Sequence, residues 1–373
     1  MGGQAVGLWR ARDCRQVQIV DYSMTNPGAT PSGMVESPPG VTTGGRWRST
    51  RSRKRLVAIA LCVILAVTIG ISLAVTQLSS SPTYPIHPTK YVRYVGVHEL
   101  HAPGTYAEID QFARYIGRQP NLVSYYENWN VPFQSGFANL AAERGALTLA
   151  QMDPENVSVA SIASGRYDAY LRTYADAVRA FGKPVIMSFG HEMNGDWYSW
   201  GSRGTRPAVF VRAWRHIVDV FRAKGAENVI WLWIVNVTDA NNNIPDPSPW
   251  WPGRKYVTWV GIDGYFYLQS QSFAQLFGPT IVDVRQLTQA PILIAETGAE
   301  QTTNQASKIS EIFAGVRSYG LLGFVWFDEN TQGRSWSINN PAAFSMLRRD
   351  TASFMQPLTK KPAGSPSPAG SSP

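Results

Sequence analysis

Eight short, strongly apolar runs lie between residues 91 and 330, and this repeated feature restricts the fold more than any other. Several are too uniformly apolar for strands with one face in water, so they predict strands buried on both faces, as in parallel sheets. The runs begin at Tyr91, Asn121, Ala146, Pro184, Val229, Val257, Pro291 and Leu321.

Segments with helical periodicity separate these runs, most clearly at 167–181, 207–224 and 304–319. A strand followed by a helix is therefore repeated along the chain. Eight such units, in a span of usual size for the fold, predict an α/β architecture, the (β/α)8 TIM barrel. A doubly wound open sheet is the alternative. Because barrel chemistry takes place at the carboxyl ends of the strands, functional residues are expected there.

Residues 56–76 (LVAIALCVILAVTIGISLAVT) contain no charged side chain. As a helix they would extend about 31 Å, which matches the hydrocarbon core of a bilayer. The positive-inside rule places the basic cluster at 46–55 in the cytoplasm. We therefore expect one transmembrane helix that is retained as a single-pass anchor in the cell membrane, with the following domain extracellular. A cleaved signal peptide is the alternative.

The rest of the chain divides by composition around this span. Residues 1–55 predict a disordered, basic cytoplasmic segment, and residues 77–88 a linker. Residues 89–357 form the expected barrel domain, and residues 358–373 a disordered tail rich in Pro and Ser.

The net charge of +8 does not indicate a nucleic-acid partner, because it is concentrated before the apolar span. The segment before Leu56 carries nine Lys and Arg against three acidic residues, whereas the chain from Thr83 onward has a net charge of only +2. Cys14 and Cys62 both precede the large domain, so neither predicts a disulfide or a thiolate ligand there. We expect no nucleic-acid partner and a monomeric chain.

The fourth and seventh runs each end in a glutamate. The fourth ends in GHEMNG, which contains His191, Glu192 and Asn194, and the seventh ends in AETG, which contains Glu296. A zinc-protease motif would need a second His at position 195, where the chain has Gly. Two carboxylates at one barrel mouth are what retaining glycoside hydrolysis requires. For either glutamate alone, a helix cap or an ion pair would be the ordinary explanation.

Two segments here resemble glycoside hydrolase family 26. VIMSFGHEMNGDWYSWG (185–201) resembles the acid/base motif of that family and PILIAETG (291–298) its nucleophile motif, within a similarity that extends over about 87–355. The resemblance implies that Glu192 is the acid/base, that Glu296 is the nucleophile and that His191 positions Glu192. It also implies that no metal or organic cofactor is needed.

The same resemblance suggests the residues that would contact the sugar. Tyr265 matches a tyrosine that donates to the nucleophile, with Asp263 in the same motif. Trp197 matches a stacking position and Trp326 the aromatic platform under the cleaved sugar, although Trp326 could instead be part of the core. Asn194 is also expected to contact the sugar. Further candidates for the mouth are His98, Glu99, His101, Glu127, Asn128, Trp129 and Asn236.

These features predict a retaining endo-β-glycanase with a polysaccharide substrate, foremost β-1,4-mannan. Two departures from the mannanase pattern leave β-1,3-1,4-glucan and xylan open: Phe327 stands where many relatives have Arg, and Ser335-Trp336-Ser337 where relatives often have Asp-Trp-Arg. A surface protein that binds carbohydrate without cleaving it is the alternative from a different class.

Overall fold

A computed structural model describes residues 93–239, 244–331 and 333–355, all in one compact unit of the chain, Tyr84–Pro373. Eight parallel strands close into a barrel in chain order. The predicted barrel is therefore confirmed, and the open sheet is excluded. The strands are β1 (Tyr94–Glu99), β2 (Leu122–Asn128), β3 (Leu147–Asp153), β4 (Val185–Phe189), β5 (Val229–Asn236), β6 (Trp259–Phe266), β7 (Ile292–Ala299) and β8 (Gly323–Asp328).

Helices connect the strands and pack around them. The three predicted helices correspond to α4 (Asp168–Phe181), α5 (Pro207–Ala223) and α7 (Gln305–Ser318). Helix α5 begins at Pro207, whose fixed φ suits a first turn, and α4 is followed by Gly182 in the left-handed conformation. Between β5 and β6 the described residues contain a short 3-10 turn, Ser248–Trp250, but no α-helix. The helices are α1 (Ala107–Ile116), α2 (Ser135–Glu143), α3 (Val159–Ala163), α4 (Asp168–Phe181), α5 (Pro207–Ala223), α6 (Phe273–Leu287), α7 (Gln305–Ser318) and α8 (Pro341–Phe354).

The core has two layers because successive side chains of a strand point to opposite faces. One set fills the barrel interior, and the other packs between the strands and the helices. In β8, Val325 belongs to the interior, whereas Phe324 and Trp326 belong to the outer layer. The interior set includes Tyr94, Leu122, Leu149, Ile186, Leu232, Trp259 and Leu293.

A short hairpin follows β8 at the barrel mouth. Its two-residue strands, β9 (Asn330–Thr331) and β10 (Arg334–Ser335), pair antiparallel. Trp336 comes directly after β10 and packs at 4.7 Å from the ring of Tyr265 in β6. The hairpin thereby covers one side of the mouth.

The predicted transmembrane span at 56–76 lies outside the described residues, as do the segments 1–55, 77–88 and 358–373. Within the three described ranges, no helix combines the length and the apolar character that crossing a bilayer requires.

Candidate active site

The two predicted catalytic glutamates meet at the carboxyl end of the barrel. Glu192 follows β4 and Glu296 lies in β7, and they are only 6% and 5% exposed. Asp263 in β6 joins them, and one carboxylate oxygen from each residue lies within 4.8 Å of the others. The barrel thus brings together three acidic groups that are far apart in the sequence.

The turn after β4 aims Glu192 into this mouth. Gly190 and Glu192 both have left-handed backbone conformations, with φ of 54° and 53°. Glycine adopts that conformation freely, whereas a residue with a side chain is strained by about 1 kcal/mol or more. The backbone N–H of Glu192 donates to the carbonyl of Ile234 in β5 at 3.1 Å, which helps to hold the turn. The strain is located at the residue whose carboxyl group faces the mouth.

Glu192 is held by two neutral donors. The Nδ2 of Asn236 donates to Oε1 at 2.5 Å, and the indole Nε1 of Trp197 donates to Oε2 at 2.8 Å. Burial and the negative charge of Glu296 raise the pKa of Glu192 to about 7, against the opposing effects of His191 and of these two hydrogen bonds. Near neutral pH, Glu192 can therefore exchange a proton in both directions.

Glu296 accepts a hydrogen bond on each carboxylate oxygen from a phenol. Tyr265 donates to Oε2 at 2.6 Å, and Tyr126 in β2 donates to Oε1. Burial and the charge of Glu296 raise the pKa of both phenols well above the usual range, so both remain donors. Two such donors fix the orientation of the Glu296 carboxyl group. The place of Tyr265 agrees with its sequence assignment, whereas Tyr126 was not singled out from the sequence.

His191 forms a buried ion pair with Asp153, the last residue of β3. Its Nδ1 lies 2.9 Å from Oδ1 of Asp153, and its Nε2 lies 3.1 Å from the hydroxyl of Tyr198. Burial lowers the pKa of His191, but Asp153, with smaller contributions from the two glutamates, more than offsets this and raises it to about 10. This pKa favours the protonated form of His191 near neutral pH.

Asn194 holds neighbouring backbone rather than facing the mouth. It is fully buried, and its amide donates to the carbonyls of Asn236 and Pro245 at 2.9 and 3.2 Å. Its carbonyl accepts from the backbone N–H of Asn236 at 2.9 Å. The structure gives Asn194 contacts that position Asn236, the donor to Glu192.

Asp263 is the least solvated acid of the mouth, with 0% exposure and neither oxygen in a well-formed hydrogen bond. Burial, followed by the charges of Glu296 and Glu192, raises its pKa well above the usual range, although the backbone N–H of Glu296 opposes the rise. The burial of Asp263 therefore favours its neutral form.

These three carboxylates are the one group, within the part of the chain that the structure describes, that could supply three ligands to a metal ion. Glu192 and Glu296 already accept four hydrogen bonds from amide, indole and phenol donors. This donor set stabilises carboxylates without a cation. Chemistry that needs no metal or cofactor stays a prediction.

Comparison with known proteins places this mouth in a family. A sequence model of glycosyl hydrolase family 26 matches residues 120–338, which is more than half of the chain and includes the segments after β4 and in β7. The chain belongs to this family. Membership confirms the resemblance drawn from the two motifs.

Curated relatives of two kinds are similar to the chain. Endoglucanase H of Acetivibrio thermocellus is 33% identical over 71% of this chain and 31% of its own length. A mannan endo-1,4-β-mannosidase of Bacillus subtilis is 27% identical over 39% of this chain and 43% of its own length. The chain thus spans less than half the length of either relative.

Solved structures of family 26 enzymes share the barrel. A β-mannanase from Bacteroides ovatus superposes with a TM-score of 0.55 at 16% identity, over 72% of this chain and 91% of the other. The Bacillus subtilis mannanase gives a TM-score of 0.52 at 17% identity, over 68% of this chain and 84% of the other. At these identities the likeness supports the fold alone.

The structure does not place Trp326 where its assignment as a sugar platform requires. Trp326 is 0% exposed in the layer between strands and helices, where its Nε1 donates to the carbonyl of Trp336 at 3.3 Å. Because side chains alternate along β8, the next residue, Phe327, faces the mouth. Its half-buried ring stacks on His98 at 5.0 Å and lies 5.9 Å from Tyr265. The aromatic surface beside the nucleophile is Phe327.

The remaining candidates divide into two groups. Trp197, Asn236 and His98 lie at the mouth, where His98 packs edge-on against Tyr126 at 4.8 Å.

The other candidates point away from the mouth. Glu127 accepts a hydrogen bond from Tyr174 of α4. Trp129 packs against the rings of Tyr167, Tyr170 and Phe189. His101 pairs with Glu108 at 2.7 Å on the surface. Glu99 is buried at the rim beside Asp328, its register partner, and Asn128 is exposed at the end of β2.

Proposed function

We propose that this family 26 barrel is a retaining endo-β-glycanase in which Glu192 is the acid/base and Glu296 the nucleophile. The observation that carries the proposal is the unequal setting of two adjacent carboxylates. Glu192 has a pKa raised to about 7, whereas Glu296 accepts hydrogen bonds from two phenols. Oxygens within 4.8 Å fit the short separation of retaining enzymes, since an inverting pair needs room for a water between its carboxyl groups.

In the first step, a carboxylate oxygen of Glu296 attacks the anomeric carbon and the glycosidic bond breaks. Glu192 gives its proton to the departing oxygen, so the leaving sugar carries a hydroxyl group. A covalent ester between Glu296 and the sugar remains. Tyr126 and Tyr265 orient the attacking carboxylate, and Asn236 and Trp197 orient the acid.

In the second step, Glu192 is ionised and takes a proton from a water molecule. The water oxygen attacks the anomeric carbon, and the bond to Glu296 breaks. Glu296 leaves as a carboxylate and Glu192 is protonated again, so both groups return to their starting states. Two displacements at one carbon retain its β configuration.

The proposed substrate is a β-linked polysaccharide, foremost β-1,4-mannan. Relatives named mannan endo-1,4-β-mannosidase support this choice. A β-1,3-1,4-glucan is the second candidate, because the 33% identical relative is named an endoglucanase and Phe327 replaces the Arg of many mannanases. Xylan is the third, because another relative is a β-1,3-xylanase of Vibrio.

We also propose that residues 56–76 anchor the chain in the cell membrane, with the barrel on the outer side. The uncharged span and the preceding basic cluster support this orientation. We propose that the chain acts as a monomer. External protease added to intact cells should remove the barrel; a fully protected barrel would contradict the orientation.

The test of the reaction is release of reducing sugar by the full chain from glucomannan, galactomannan, barley β-glucan and xylan, with NMR of the first product anomer. Cleavage with retention that is lost in both Glu192→Ala and Glu296→Ala is the expected result. Normal activity of Glu296→Ala, or an inverted first anomer, would refute the mechanism. Tight binding of an oligosaccharide without any product would indicate the non-catalytic binding protein.

A further inference from the structure

The ion pair between Asp153 and His191 lies directly behind the catalytic pair. The distance from Nδ1 of His191 to Oδ1 of Asp153 is 2.9 Å, and the side chains of His191 and Asp153 are 5% and 9% exposed, respectively. In so dry a setting an isolated charge is costly, whereas a well-formed pair is retained. Asp153 ends β3 and His191 follows β4 by two residues, so adjacent strands fix the pair.

We propose that Asp153 keeps His191 charged, so that an imidazolium and not a neutral imidazole lies beside the catalytic carboxylates, and that this charge sets the pH range of activity. Asp153 is a positioning residue in this scheme, because it acts on the reaction through His191. The inference rests on the proposed function and adds to it a residue that was not among the sequence-based candidates.

The surroundings of His191 are consistent with the charged form. With both ring nitrogens protonated, Nδ1–H donates to Asp153 and Nε2–H donates to the hydroxyl oxygen of Tyr198 at 3.1 Å. Tyr198 is itself fixed, because its ring stacks on that of Trp200 at 4.3 Å, and the Nε1 of Trp200 donates to the carbonyl of His191 at 2.8 Å.

The groups that face His191 come from several elements and are mostly negative or neutral. Asp153 is the nearest carboxylate, and the ring of Tyr126 lies 5.3 Å away. More distant charges that act on His191 belong to the catalytic pair, and His191 in turn opposes a rise in the pKa of Glu155. The titratable groups around His191 are thus Tyr126 (β2), Asp153 (β3), Glu155, Glu192, Tyr198 and Glu296 (β7).

The charge matters because three carboxylates share the mouth. Glu192, Asp263 and Glu296 lie within 4.8 Å of one another and are all buried. Ionising one of them in such a group is unfavourable unless a positive charge is near. His191 supplies that charge, and it opposes the effects of burial and of Glu296 on the pKa of Glu192.

A simpler role for Asp153 would be to orient a neutral His191. In that case Asp153→Asn should change little, because the amide oxygen can still accept from Nδ1–H. If the charge is what matters, the amide cannot stabilise the imidazolium, and His191 becomes neutral near pH 7. The substitution therefore separates orientation from charge.

The sign of the effect follows from the active ionisation state, in which Glu296 is ionised and Glu192 is protonated. Loss of the imidazolium raises the pKa of Glu192, because the charge of His191 opposes that rise. The alkaline limb of the profile of kcat/KM against pH should therefore move to higher pH, by about one unit. A merely structural role would lower activity without moving that limb.

The experiment compares the full-length wild type, Asp153→Asn and Asp168→Asn over pH 4 to 9 (roughly the range in which carboxyl and imidazole groups titrate). Asp168 pairs with His216 at 2.6 Å on α4 and α5, so it is a matched control outside the mouth. Upward movement of the alkaline limb in Asp153→Asn alone supports the proposal. An unmoved alkaline limb in folded Asp153→Asn, or an equal shift in the control, overturns it.

A second measurement covers the case in which Asp153→Asn does not fold. The chain has five His, so ¹⁵N NMR of the ring nitrogens of the wild type, with His191→Gln to assign its signals, reports the protonation state of His191 directly. A doubly protonated ring at pH 7 to 8 supports the proposal, and a neutral ring overturns it. Because this readout needs no substrate, it stands even if no polysaccharide is cleaved, which would be a failure of the proposed function alone.

Discussion

Two hydrogen bonds join Asn194, in the segment after β4, to the backbone of Asn236, the last residue of β5. The side-chain carbonyl of Asn194 accepts from the backbone N–H of Asn236, its amide donates to the backbone carbonyl of Asn236, and both distances are 2.9 Å. The side-chain amide of Asn236 donates to Oε1 of Glu192 at 2.5 Å. Asn194 thus orients the proposed acid/base through one intermediate residue.

The first prediction concerns Asn194→Ala. We expect kcat to fall by about 10-fold with little change in KM, because a misplaced Glu192 protonates the leaving group less well. The free energy of unfolding should also fall, by about 1 to 3 kcal/mol, since the buried backbone of Asn236 loses both partners. Steady-state kinetics and thermal unfolding measure the two effects.

Asn228→Ala is the matched control for that prediction. Asn228 lies at the opposite end of β5, where its amide donates to the carbonyls of Val178 and Lys183 at 2.8 Å each. The control should lose stability while kcat remains normal. If Asn194→Ala instead raised KM and left kcat unchanged, Asn194 would be a direct sugar ligand, as the sequence suggested.

The second prediction concerns the alkaline side of the pH profile. Burial and the charge of Glu296 raise the pKa of Glu192 to about 7, and the first step needs the protonated form. We therefore expect kcat/KM to fall above about pH 7 as Glu192 ionises. An aryl glycoside with a very acidic phenol needs no protonation to leave, so its alkaline limb should be weak. An equally steep limb for that substrate would assign the limb to another group.

The polar ends of the apolar runs made the catalytic pair visible in the sequence. In a parallel barrel all strand ends of one kind meet at one mouth, so Glu192 and Glu296 could be placed together before any coordinates. Their separate roles, and the role of Tyr265, came from the resemblance to the family. Asp153 could not be placed there, because the apolar run that begins at Ala146 (ALTLAQM) ends at Met152, whereas β3 continues by one residue. A one-residue error at a strand end was enough to hide the partner of His191.

The other differences between the predicted and the observed site arise because neighbouring residues of a strand point to opposite faces. Adjacent aromatic residues, such as Tyr125 with Tyr126 and Trp326 with Phe327, do not show by themselves which ring faces the mouth. Only the register of the closed barrel decides this, and it places Tyr126 and Phe327 at the mouth. The resemblance to the family favoured Trp326, because Trp326 matches the family's platform position in the eighth run.

The third prediction tests whether Phe327, rather than Trp326, is the aromatic residue of β8 that contacts the sugar. Trp326→Ala should lower the free energy of unfolding by about 3 to 5 kcal/mol, because it opens a cavity in the core. Phe327→Ala should have a small effect on stability but lower kcat/KM by about 10-fold, because it removes a stacking surface beside the nucleophile. Chemical denaturation and kinetics on soluble oligosaccharides measure both. A stable Trp326→Ala that loses sugar binding would restore the platform assignment.

The fourth prediction uses the buried carboxyl group of Glu127, which lies on the outer face of β2. One oxygen accepts from Tyr174, and the other is buried without a partner. Burial raises the pKa of Glu127 from its usual 4.5 to about 8, with a further contribution from Asp153, although the bond from Tyr174 opposes the rise. The folded protein therefore binds this proton more tightly than the unfolded chain does.

The contribution of protonated Glu127 to the free energy of unfolding is fully present below pH 4.5 and is lost as the pH rises through about 8. Glu127→Gln keeps an acceptor for Tyr174 and cannot ionise. Its free energy of unfolding, relative to wild type, should therefore increase between pH 4.5 and pH 8 by about 1 to 3 kcal/mol. Urea denaturation at both pH values measures this, with the exposed Glu227→Gln as the control. If the difference between Glu127→Gln and wild type did not depend on pH, Glu127 would titrate as an ordinary solvated glutamate.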